Sequence, residues 1–280
     1  MTPATVFDGK SLAATIKEKV RAAVAEAAAP PTLAVVLARG EDGAAAYTRS
    51  LARAGERIGI GVVVHELAPD PAEAASAIAA ACDDAAVHGI ILQKPFAGRE
   101  VDAELADGIP VAKDVDGQTS ASLGLLWAGR PAFVPSTAAA ALYILDSHGV
   151  ELVGAEATVV GRSPVVGKPV AGLLVARHAT VTICHTRTRD LAAACRRADV
   201  LVVAAGAAGV VTGDMVKPGA AVIDCGYNFL EDGTVVGDVA FDEVAQVASL
   251  VTPPKGGVGP VTTALLLANV ARAAGVEISL

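Results

Sequence analysis

Two glycines with five residues between them, Gly161 and Gly167, follow a short apolar segment, and this arrangement can bind a dinucleotide. A strand, a tight turn and a helix N-terminus together present free backbone N–H groups to a pyrophosphate. Here Gly161 would permit the turn, Ser163 could donate a hydroxyl, and Gly167 would allow a close backbone approach. The spacing departs from G-x-G-x-x-G, so the prediction depends on the strand before the glycines and the helix after them.

The segment after the next predicted strand indicates which dinucleotide binds. Sites that prefer NAD usually carry Asp or Glu there, to bind the ribose hydroxyls. In this chain the strand is followed by His185-Thr186-Arg187-Thr188, which has a guanidinium between two hydroxyls and no acid. That pattern favours a 2′-phosphate and predicts NADP, whereas the alternative is a solvated turn with an exposed arginine. Gly206, in a run of small residues after a further strand, would let a dinucleotide cross the sheet edge.

Four further places carry residues that binding or catalysis uses. Tyr47 comes early in a predicted helix, and Gln93 ends an apolar strand. Asp114 and Asp116 form an acid pair in a loop, and residues 256–260 form a loop rich in glycine. Each place also has a structural explanation: half-buried packing, a strand terminus, turn chemistry or N-capping, and a flexible turn. Considered singly, each structural explanation is the better one.

The elements that position these residues alternate along the chain. Short β-branched segments take turns with Ala-rich stretches, which predicts an α/β fold with a mostly parallel sheet. We expect strands at 32–37, 61–66, 89–93, 157–160, 180–184, 200–204 and 221–224. We expect helices at 44–59, 71–82, 136–148, 168–177, 190–197 and 262–274. The prediction is two domains: an N-terminal α/β domain of residues 1–140 with the C-terminal segment 262–280, and a Rossmann-like parallel-sheet domain of residues 141–261.

The composition excludes several classes of protein. The 280 residues are 53% hydrophobic and 19% charged, unlike a disordered chain. The net charge is −8 and no basic stripe is present, so nucleic-acid binding has no electrostatic support. No apolar run reaches the roughly 18 residues that span a bilayer, and the N-terminus lacks the order of a signal peptide. The four cysteines and five histidines are scattered, so we expect free thiols in the cytoplasm and no metal site.

Taken together and in this order, the motifs resemble the bifunctional methylenetetrahydrofolate dehydrogenase/methenyltetrahydrofolate cyclohydrolase family. The resemblance spans nearly the whole chain. Its most specific segments are Lys113-Asp-Val-Asp-Gly117 and Gly256-Gly-Val-Gly-Pro260. Matching segments also lie at 89–95, 160–169, 180–188, 224–226 and 237–238.

This resemblance implies a fold, an activity and a setting. The first domain would hold folate in a cleft against an NADP-binding Rossmann domain, in a cytoplasmic homodimer that serves one-carbon metabolism. Tyr47 matches the tyrosine that stacks on the aminobenzoyl ring, Asp116 the aspartate that binds the pterin, and Gln93 the glutamine beside the reacting carbon. The other matched residues are Gly257, Gly259 and Pro260 for the substrate, and Arg162, Ser163, Thr186 and Arg187 for the cofactor's phosphates.

The sequence departs from the family at one catalytic position. The family's helix reads Tyr-x-x-x-Lys, with the lysine catalytic, whereas this chain has Tyr47-Thr-Arg-Ser-Leu51. An ammonium there would polarise the reacting centre and relay protons during hydrolysis of the methenyl bridge. Hydride transfer depends instead on a folate lone pair and on cofactor positioning. We therefore expect dehydrogenase activity to survive and cyclohydrolase activity to be lost or strongly reduced.

Two lysines, Lys94 and Lys255, offer alternatives to the lysine that Leu51 replaces. Lys94 replaces the leucine of the family's Gln-Leu-Pro, and Lys255 precedes the glycine loop. Either is a candidate substitute for the lost proton relay, a ligand for the folate glutamate tail, or an ordinary surface lysine. Two other functions remain as alternatives: a paralogue that binds methylenetetrahydrofolate for a non-redox one-carbon transfer, and a non-catalytic folate- or dinucleotide-binding module.

Overall fold

The computed structural model describes residues 4–130 and 132–280. The chain forms two compact units, one of Met1–Ala13 with Thr137–Thr262 and one of Ala14–Ser136 with Thr263–Leu280. The strands are β1 (Thr5–Val6), β2 (Thr32–Ala38), β3 (Gly61–Leu67), β4 (Gly89–Leu92), β5 (Glu156–Val160), β6 (Thr180–Cys184), β7 (Val200–Val203), β8 (Ala221–Asp224), β9 (Asn228–Phe229), β10 (Val235–Val236) and β11 (Leu250–Val251). The helices are α1 (Gly9–Val24), α2 (Asp42–Glu56), α3 (Pro71–Asp83), α4 (Arg99–Asp107), α5 (Ser120–Trp127), α6 (Ser136–Ser147), α7 (Gly167–Ala176), α8 (Leu191–Arg197), α9 (Phe241–Val244) and α10 (Val258–Ala273).

The unit that contains residues 14–136 is built on a parallel sheet with the strand order β3-β2-β4. Strand β2 is central and almost wholly apolar, as expected for a strand that is covered on both faces. Its Ala34 and Val36 pack in a core with Ile78 of α3. Helix α3 begins where Asp70 accepts a hydrogen bond from Ala72 N at 2.9 Å, which caps the helix just before its first-turn proline.

The unit that contains residues 137–262 is built on a second parallel sheet, with the order β1-β11-β8-β7-β5-β6. From β5 the chain adds β6 on one side and then β7 and β8 on the other. The order therefore reverses between β5 and β7, and in such sheets ligands bind at the carboxyl ends of the strands at that point. Strand β1 pairs with β11, which explains why the N-terminal segment clusters with this unit.

The predicted α/β class is confirmed, and the predicted strands all occur with ends that differ by at most one residue. Eight elements were not predicted from the sequence: helices α1, α4, α5 and α9 and strands β1, β9, β10 and β11. Among the predicted elements, the C-terminal helix differs most. Helix α10 begins at Val258, four residues before the predicted start, so Gly259 and Pro260 lie in its first turn rather than in a loop. A proline is accommodated there because first-turn N–H groups have no partner within the helix. No helix in the described part of the chain is long and apolar enough to cross a membrane.

Candidate active-site and dinucleotide-binding residues

Gly161 and Gly167 occupy positions where a side chain would collide with backbone. Gly161 has φ +130°, and a Cβ atom on it would lie 2.1 Å from the carbonyl oxygen of Ala204. A Cβ atom on Gly167 would lie 2.3 Å from the carbonyl oxygen of Gly161. The loop after β5 therefore packs directly on the backbone after β7, and only glycine allows this approach.

Ser163 holds the first turn of α7. Its hydroxyl oxygen accepts hydrogen bonds from Val166 N at 3.1 Å and Gly167 N at 3.3 Å. The hydroxyl was predicted as a donor, and the structure gives it an additional role as an acceptor at the helix start. Arg162 is exposed beside it. An exposed guanidinium and a helix N-terminus of this kind favour an anion such as a phosphate.

The turn after β6 carries Thr186 and Arg187, both exposed. His185 Nδ1 accepts from Arg187 N at 3.1 Å, and Thr188 Oγ1 accepts from His185 N at 2.9 Å, so local hydrogen bonds fix the backbone of the turn. Val160 pairs with Cys184 in the sheet, which places the Arg187 turn at the strand end next to Gly161. No acidic residue that would repel a 2′-phosphate occurs between Cys184 and Thr188.

Gly206 lies in the turn after β7 with φ +66°, a conformation that suits glycine. Its backbone N–H donates to the buried carboxylate of Asp238. A second buried carboxylate, Asp224, lies at the end of β8. Burial, with a smaller contribution from the neighbouring Asp238, raises the pKa of Asp224 to about 6 despite the lowering effect of three backbone N–H donors. The motif matches included both aspartates but did not identify them as site residues.

Of the three charged residues in the Lys113–Gly117 segment, Lys113 and Asp114 make hydrogen bonds that build the loop. The Lys113 ammonium donates to the carbonyl oxygens of Ala81, Cys82 and Asp84, where α3 ends. The carboxylate of Asp114 is fully buried and accepts from two backbone N–H groups of the following turn, at 2.9 and 3.0 Å. Both side chains therefore build the loop, and Asp116 is the acid that remains for chemistry.

Asp116 is half-buried and has few protein donors. Its carboxylate accepts from Ser136 N at 3.1 Å and from Gln118 Nε2 at 3.5 Å. Burial is the main cause of its raised pKa, and Asp114 adds to the increase, while Ser136 and Lys94 oppose it. Two of these neighbours, Ser136 and Gln118, were not predicted from the sequence, because each needs the loop to be folded before it reaches the carboxylate.

Tyr47 lies on α2 and belongs to the same cluster. Its hydroxyl hydrogen bonds with Thr263 of α10, a partner that sequence spacing does not reveal. Burial raises the pKa of Tyr47, and the negative charge of Asp116 raises it further. The tyrosine is therefore a neutral, half-buried ring beside the aspartate, as stacking on an aromatic ligand requires.

Leu51 follows Tyr47 by one helical turn and is completely buried on α2. It lies on the same helix face as Tyr47 and contributes no charge. Lys94 is a candidate to supply the positive charge that Leu51 lacks. Partial burial lowers the pKa of Lys94, while Asp102 and Asp116 raise it, which places the ammonium near the Asp116 carboxylate.

Gln93 immediately precedes Lys94 at the carboxyl end of β4. Its backbone N–H donates to Val36 O at 2.8 Å, which continues the sheet pairing beyond the strand. Its side-chain Nε2 is buried, and within residues 4–130 and 132–280 no acceptor pairs with it. A buried amide donor without a partner is costly, so this atom is available to a ligand.

The three predicted substrate residues near the C-terminus lie in the other unit. A Cβ atom on Gly257 would lie 2.4 Å from the carbonyl oxygen of Pro253, so the tight turn before α10 requires glycine there. Gly259 is exposed in the first turn of α10, followed by Pro260. Among the described residues, no group of three or more His, Cys, Asp or Glu side chains converges as metal ligands do.

Comparison with known families assigns both parts of the chain. Residues 7–116 match "Tetrahydrofolate dehydrogenase/cyclohydrolase, catalytic domain". Residues 135–277 match "Tetrahydrofolate dehydrogenase/cyclohydrolase, NAD(P)-binding domain". Together the two matches include the candidate residues Tyr47, Gln93 and Asp116 in the first and Gly161 and Arg187 in the second.

Individual relatives agree with this assignment over nearly their full length. The "Bifunctional protein FolD" of Parafrankia sp. (strain EAN1pec) is 49% identical over 273 residues, which are 96% of this chain and 99% of the relative. A crystal structure of bifunctional FolD from Campylobacter jejuni has a TM-score of 0.94 at 36% identity and covers 97% of this chain and 99% of its own. The Trypanosoma brucei FolD, solved with NADP and an inhibitor, has a TM-score of 0.93 at 32% identity and covers 98% of both chains.

These relatives do not favour the alternatives of a non-redox transferase or a non-catalytic module. The matches cover the catalytic and the dinucleotide-binding parts in the order that the motifs predicted. Because a relative 49% identical over 96% of the chain and two family domains over residues 7–116 and 135–277 agree, the protein belongs to the tetrahydrofolate dehydrogenase/cyclohydrolase family.

Proposed function

We propose that this enzyme oxidises 5,10-methylenetetrahydrofolate to 5,10-methenyltetrahydrofolate with NADP, and that its hydrolysis of the methenyl product is lost or strongly reduced. The first part is carried by the interaction of Tyr47 with Asp116, together with the unpaired Gln93 amide of the same unit. These residues offer a ring face, a carboxylate acceptor and an amide donor within the matched catalytic domain.

The proposed reaction needs positioning more than proton transfer. A hydride leaves the methylene carbon while a folate nitrogen lone pair forms the new C=N bond, so no side chain has to take up or release a proton. Asp116 can accept hydrogen bonds from two pterin donors at once, and Tyr47 can stack on the adjoining ring. Gln93 Nε2 can donate beside the reacting carbon. These contacts orient the substrate, which is the main contribution available to the protein.

The residues around Gly161 fit NADP, which supplies the hydride acceptor when bound. Gly161 after the strand and Gly167 at the helix start carry no side chains, so the backbone at these two positions can approach a pyrophosphate closely. Arg162, Ser163, Thr186 and Arg187 would hold the phosphates. The exposed Arg187 and the absence of an acid beside it support NADP rather than NAD.

The second reaction makes a different demand. Hydrolysis of the methenyl bridge adds water to the cationic carbon, breaks one C–N bond and releases a proton, so a group must relay protons. Leu51 occupies the helix position at which the family has its catalytic lysine, and it is completely buried. An aliphatic side chain cannot polarise the carbon or carry a proton, which supports a loss of hydrolysis.

Two assays test the proposal separately. NADPH formation measured with methylenetetrahydrofolate should show turnover that depends on both substrates. Hydrolysis of methenyltetrahydrofolate is followed separately, by the decay of its absorbance. We expect the enzyme-catalysed hydrolysis rate to be at most about a tenth of the dehydrogenase rate, since a general acid–base group typically contributes about 10²–10⁴ in rate. Folate binding without turnover in either assay would contradict the proposed dehydrogenase, and hydrolysis as fast as oxidation would contradict the role given to Leu51.

We extend the proposal to organisation and setting. The predicted domains, residues 1–140 with 262–280 for folate and residues 141–261 for NADP, would form a cytoplasmic homodimer. The compact units differ from these bounds mainly at Met1–Ala13, which group with Thr137–Thr262. The family resemblance supports these assignments, and the acidic chain gives no support for a nucleic-acid partner. Light scattering coupled to size-exclusion chromatography should give twice the chain mass of 27.9 kDa.

A further inference from the structure

The backbone of the turn after β7 is fixed by hydrogen bonds to one carboxylate, that of Asp238. Asp238 Oδ2 accepts from Ala205 N at 2.6 Å and from Gly206 N at 2.8 Å. Asp238 Oδ1 accepts from Ala207 N at 3.0 Å and from Asn228 Nδ2 at 2.8 Å. The aspartate is completely buried, and these four donors occupy about as many acceptor positions as a carboxylate has.

Asp238 is itself fixed by a second carboxylate. Asp224, at the end of β8, accepts from Gly226 N at 2.8 Å, from Asp238 N at 3.0 Å and from Val239 N at 3.2 Å. The contacts are so close that neighbouring positions exclude side chains. A Cβ atom on Gly226 would lie 2.3 Å from the Asp238 carboxyl carbon, and one on Gly237 would meet the Asp224 carboxylate. The end of β8 thereby determines where the turn after β7 lies.

The turn has two faces with different roles. Its three consecutive N–H groups form a concavity of the kind that binds anions, but a protein carboxylate already fills it. Residues 205–208 are exposed on the surface. Ala204 O also contacts the backbone of Gly161, so the turn belongs to the strand ends where the sheet order reverses. A dinucleotide bound there would meet the exposed side of the turn, and its phosphates would be left to the start of α7.

We propose that Asp238 is a positioning residue for NADP, which acts by fixing the Ala205–Ala207 backbone against which the dinucleotide lies. This role rests on the proposed function. The carboxylate does not touch the cofactor. It sets the shape of the surface, and it prevents the three N–H groups from turning outward to capture a phosphate in the wrong register.

The test is Asp238→Asn, which keeps the size of the side chain. Asparagine has one oxygen and one NH₂ group, so in either orientation two of the four donors face another donor. We expect the Kd for NADP, measured by calorimetry without folate, to rise at least tenfold, while kcat at saturating NADP changes less than threefold. We also expect the amides of residues 205–207 to exchange with deuterium at least tenfold faster in the cofactor-free protein. Folate affinity and the exchange of β2–β4 should stay unchanged.

Glu243→Gln is the matched control, because Glu243 also accepts a backbone N–H, from Gly213 at 3.0 Å, which is outside the turn of residues 205–207. The control should leave the Kd for NADP unchanged. An unchanged Kd in folded Asp238→Asn would overturn the positioning role alone. Failure of the unsubstituted enzyme to bind NADP would overturn this role and the proposed function together.

A second variant covers the case in which Asp238→Asn does not fold. Gly206→Ala strains only the turn, since φ is +66° and open space surrounds the added methyl. It should raise the Kd for NADP at least threefold, whereas Gly154→Ala, with φ +75° and similarly open surroundings, should not. An equal Kd in both glycine variants would contradict the proposal.

Discussion

Lys94 and Asp116 influence each other's ionisation: the ammonium lowers the pKa of the carboxyl, and the carboxylate raises the pKa of the ammonium. Each residue also experiences burial, which acts in the opposite direction and is the larger effect on both. The pKa of Asp116 is therefore raised and that of Lys94 lowered, and each residue limits the shift that burial causes in the other. This relationship places a cation in the cluster that Leu51 leaves without one.

Removal of the Lys94 charge should change the pH dependence of the enzyme. The Lys94 ammonium lowers the pKa of Asp116, so this pKa should rise in Lys94→Met. The acidic limb of kcat/KM for methylenetetrahydrofolate should therefore move to higher pH. Lys94→Arg keeps the charge and should retain the original profile. The profiles are measured by NADPH formation at saturating NADP. Superimposable acidic limbs for the methionine variant and the unsubstituted enzyme would show that the pair does not govern substrate binding.

Introduction of an ammonium on α2 should raise hydrolysis. We expect Leu51→Lys to increase the rate of methenyltetrahydrofolate hydrolysis at least about tenfold, since general acid–base groups typically contribute about 10²–10⁴. The variant should also unfold at a lower temperature, because burial of a charge is costly. Leu51→Met is the uncharged control and should leave both rates within about threefold. No gain in a folded Leu51→Lys enzyme would mean that the missing lysine is not the limiting group.

Cofactor preference should depend on Arg187. Hydrogen bonds to charged groups contribute about 1.5–3 kcal/mol, so Arg187→Ser should raise the KM for NADP by about tenfold or more and leave the KM for NAD nearly unchanged. Arg189→Ser removes an exposed arginine two residues further along the turn and should change neither value. Parallel increases of both KM values would indicate damage to the fold instead of a lost contact with the 2′-phosphate.

The close approach of β5 and β7 should not tolerate a methyl group. Gly161→Ala would place Cβ 2.1 Å from the Ala204 carbonyl oxygen, and this backbone group cannot rotate away. We expect loss of measurable NADP binding and a clear drop in the unfolding temperature. Gly154→Ala also has positive φ but meets nothing within 4 Å, so it should cost only about 1 kcal/mol. Native-like NADP affinity in Gly161→Ala would contradict the described strand-end packing.

Stability should fall as Asp224 ionises. Its pKa in the folded enzyme is about 6, above the ordinary value of 3.8, so the folded state favours the protonated acid. The resulting stabilisation is present at low pH and is lost as pH rises from about 4 to about 6, and it is worth roughly 3 kcal/mol at most. Denaturant unfolding compared across this window should show the decline in the unsubstituted enzyme but not in Asp224→Asn. An identical pH dependence in both proteins would refute the raised pKa.

The sequence by itself determined the architecture and the family. Strand β5, Gly161 and helix α7 follow one another directly, so their geometry depends on local preferences and on the absence of a side chain. Hydrophobic periodicity likewise predicted the parallel strands, because burial on both faces of a sheet requires continuous apolar residues. The motifs around Asp116 and Gly257 then identified the family without any knowledge of their contacts.

Only the tertiary structure decided which polar residues build the fold and which remain for chemistry. Lys113, Asp114 and Asp116 are neighbouring charged residues in the sequence. The first bonds three backbone carbonyls and the second two backbone N–H groups, whereas the Asp116 carboxylate accepts from one backbone N–H, that of Ser136. The bond from Asp238 to the turn at Gly206 joins residues far apart along the chain. Hydrogen bonds and pKa shifts of this kind arise from burial and distance in three dimensions, and residue order along the chain does not specify either.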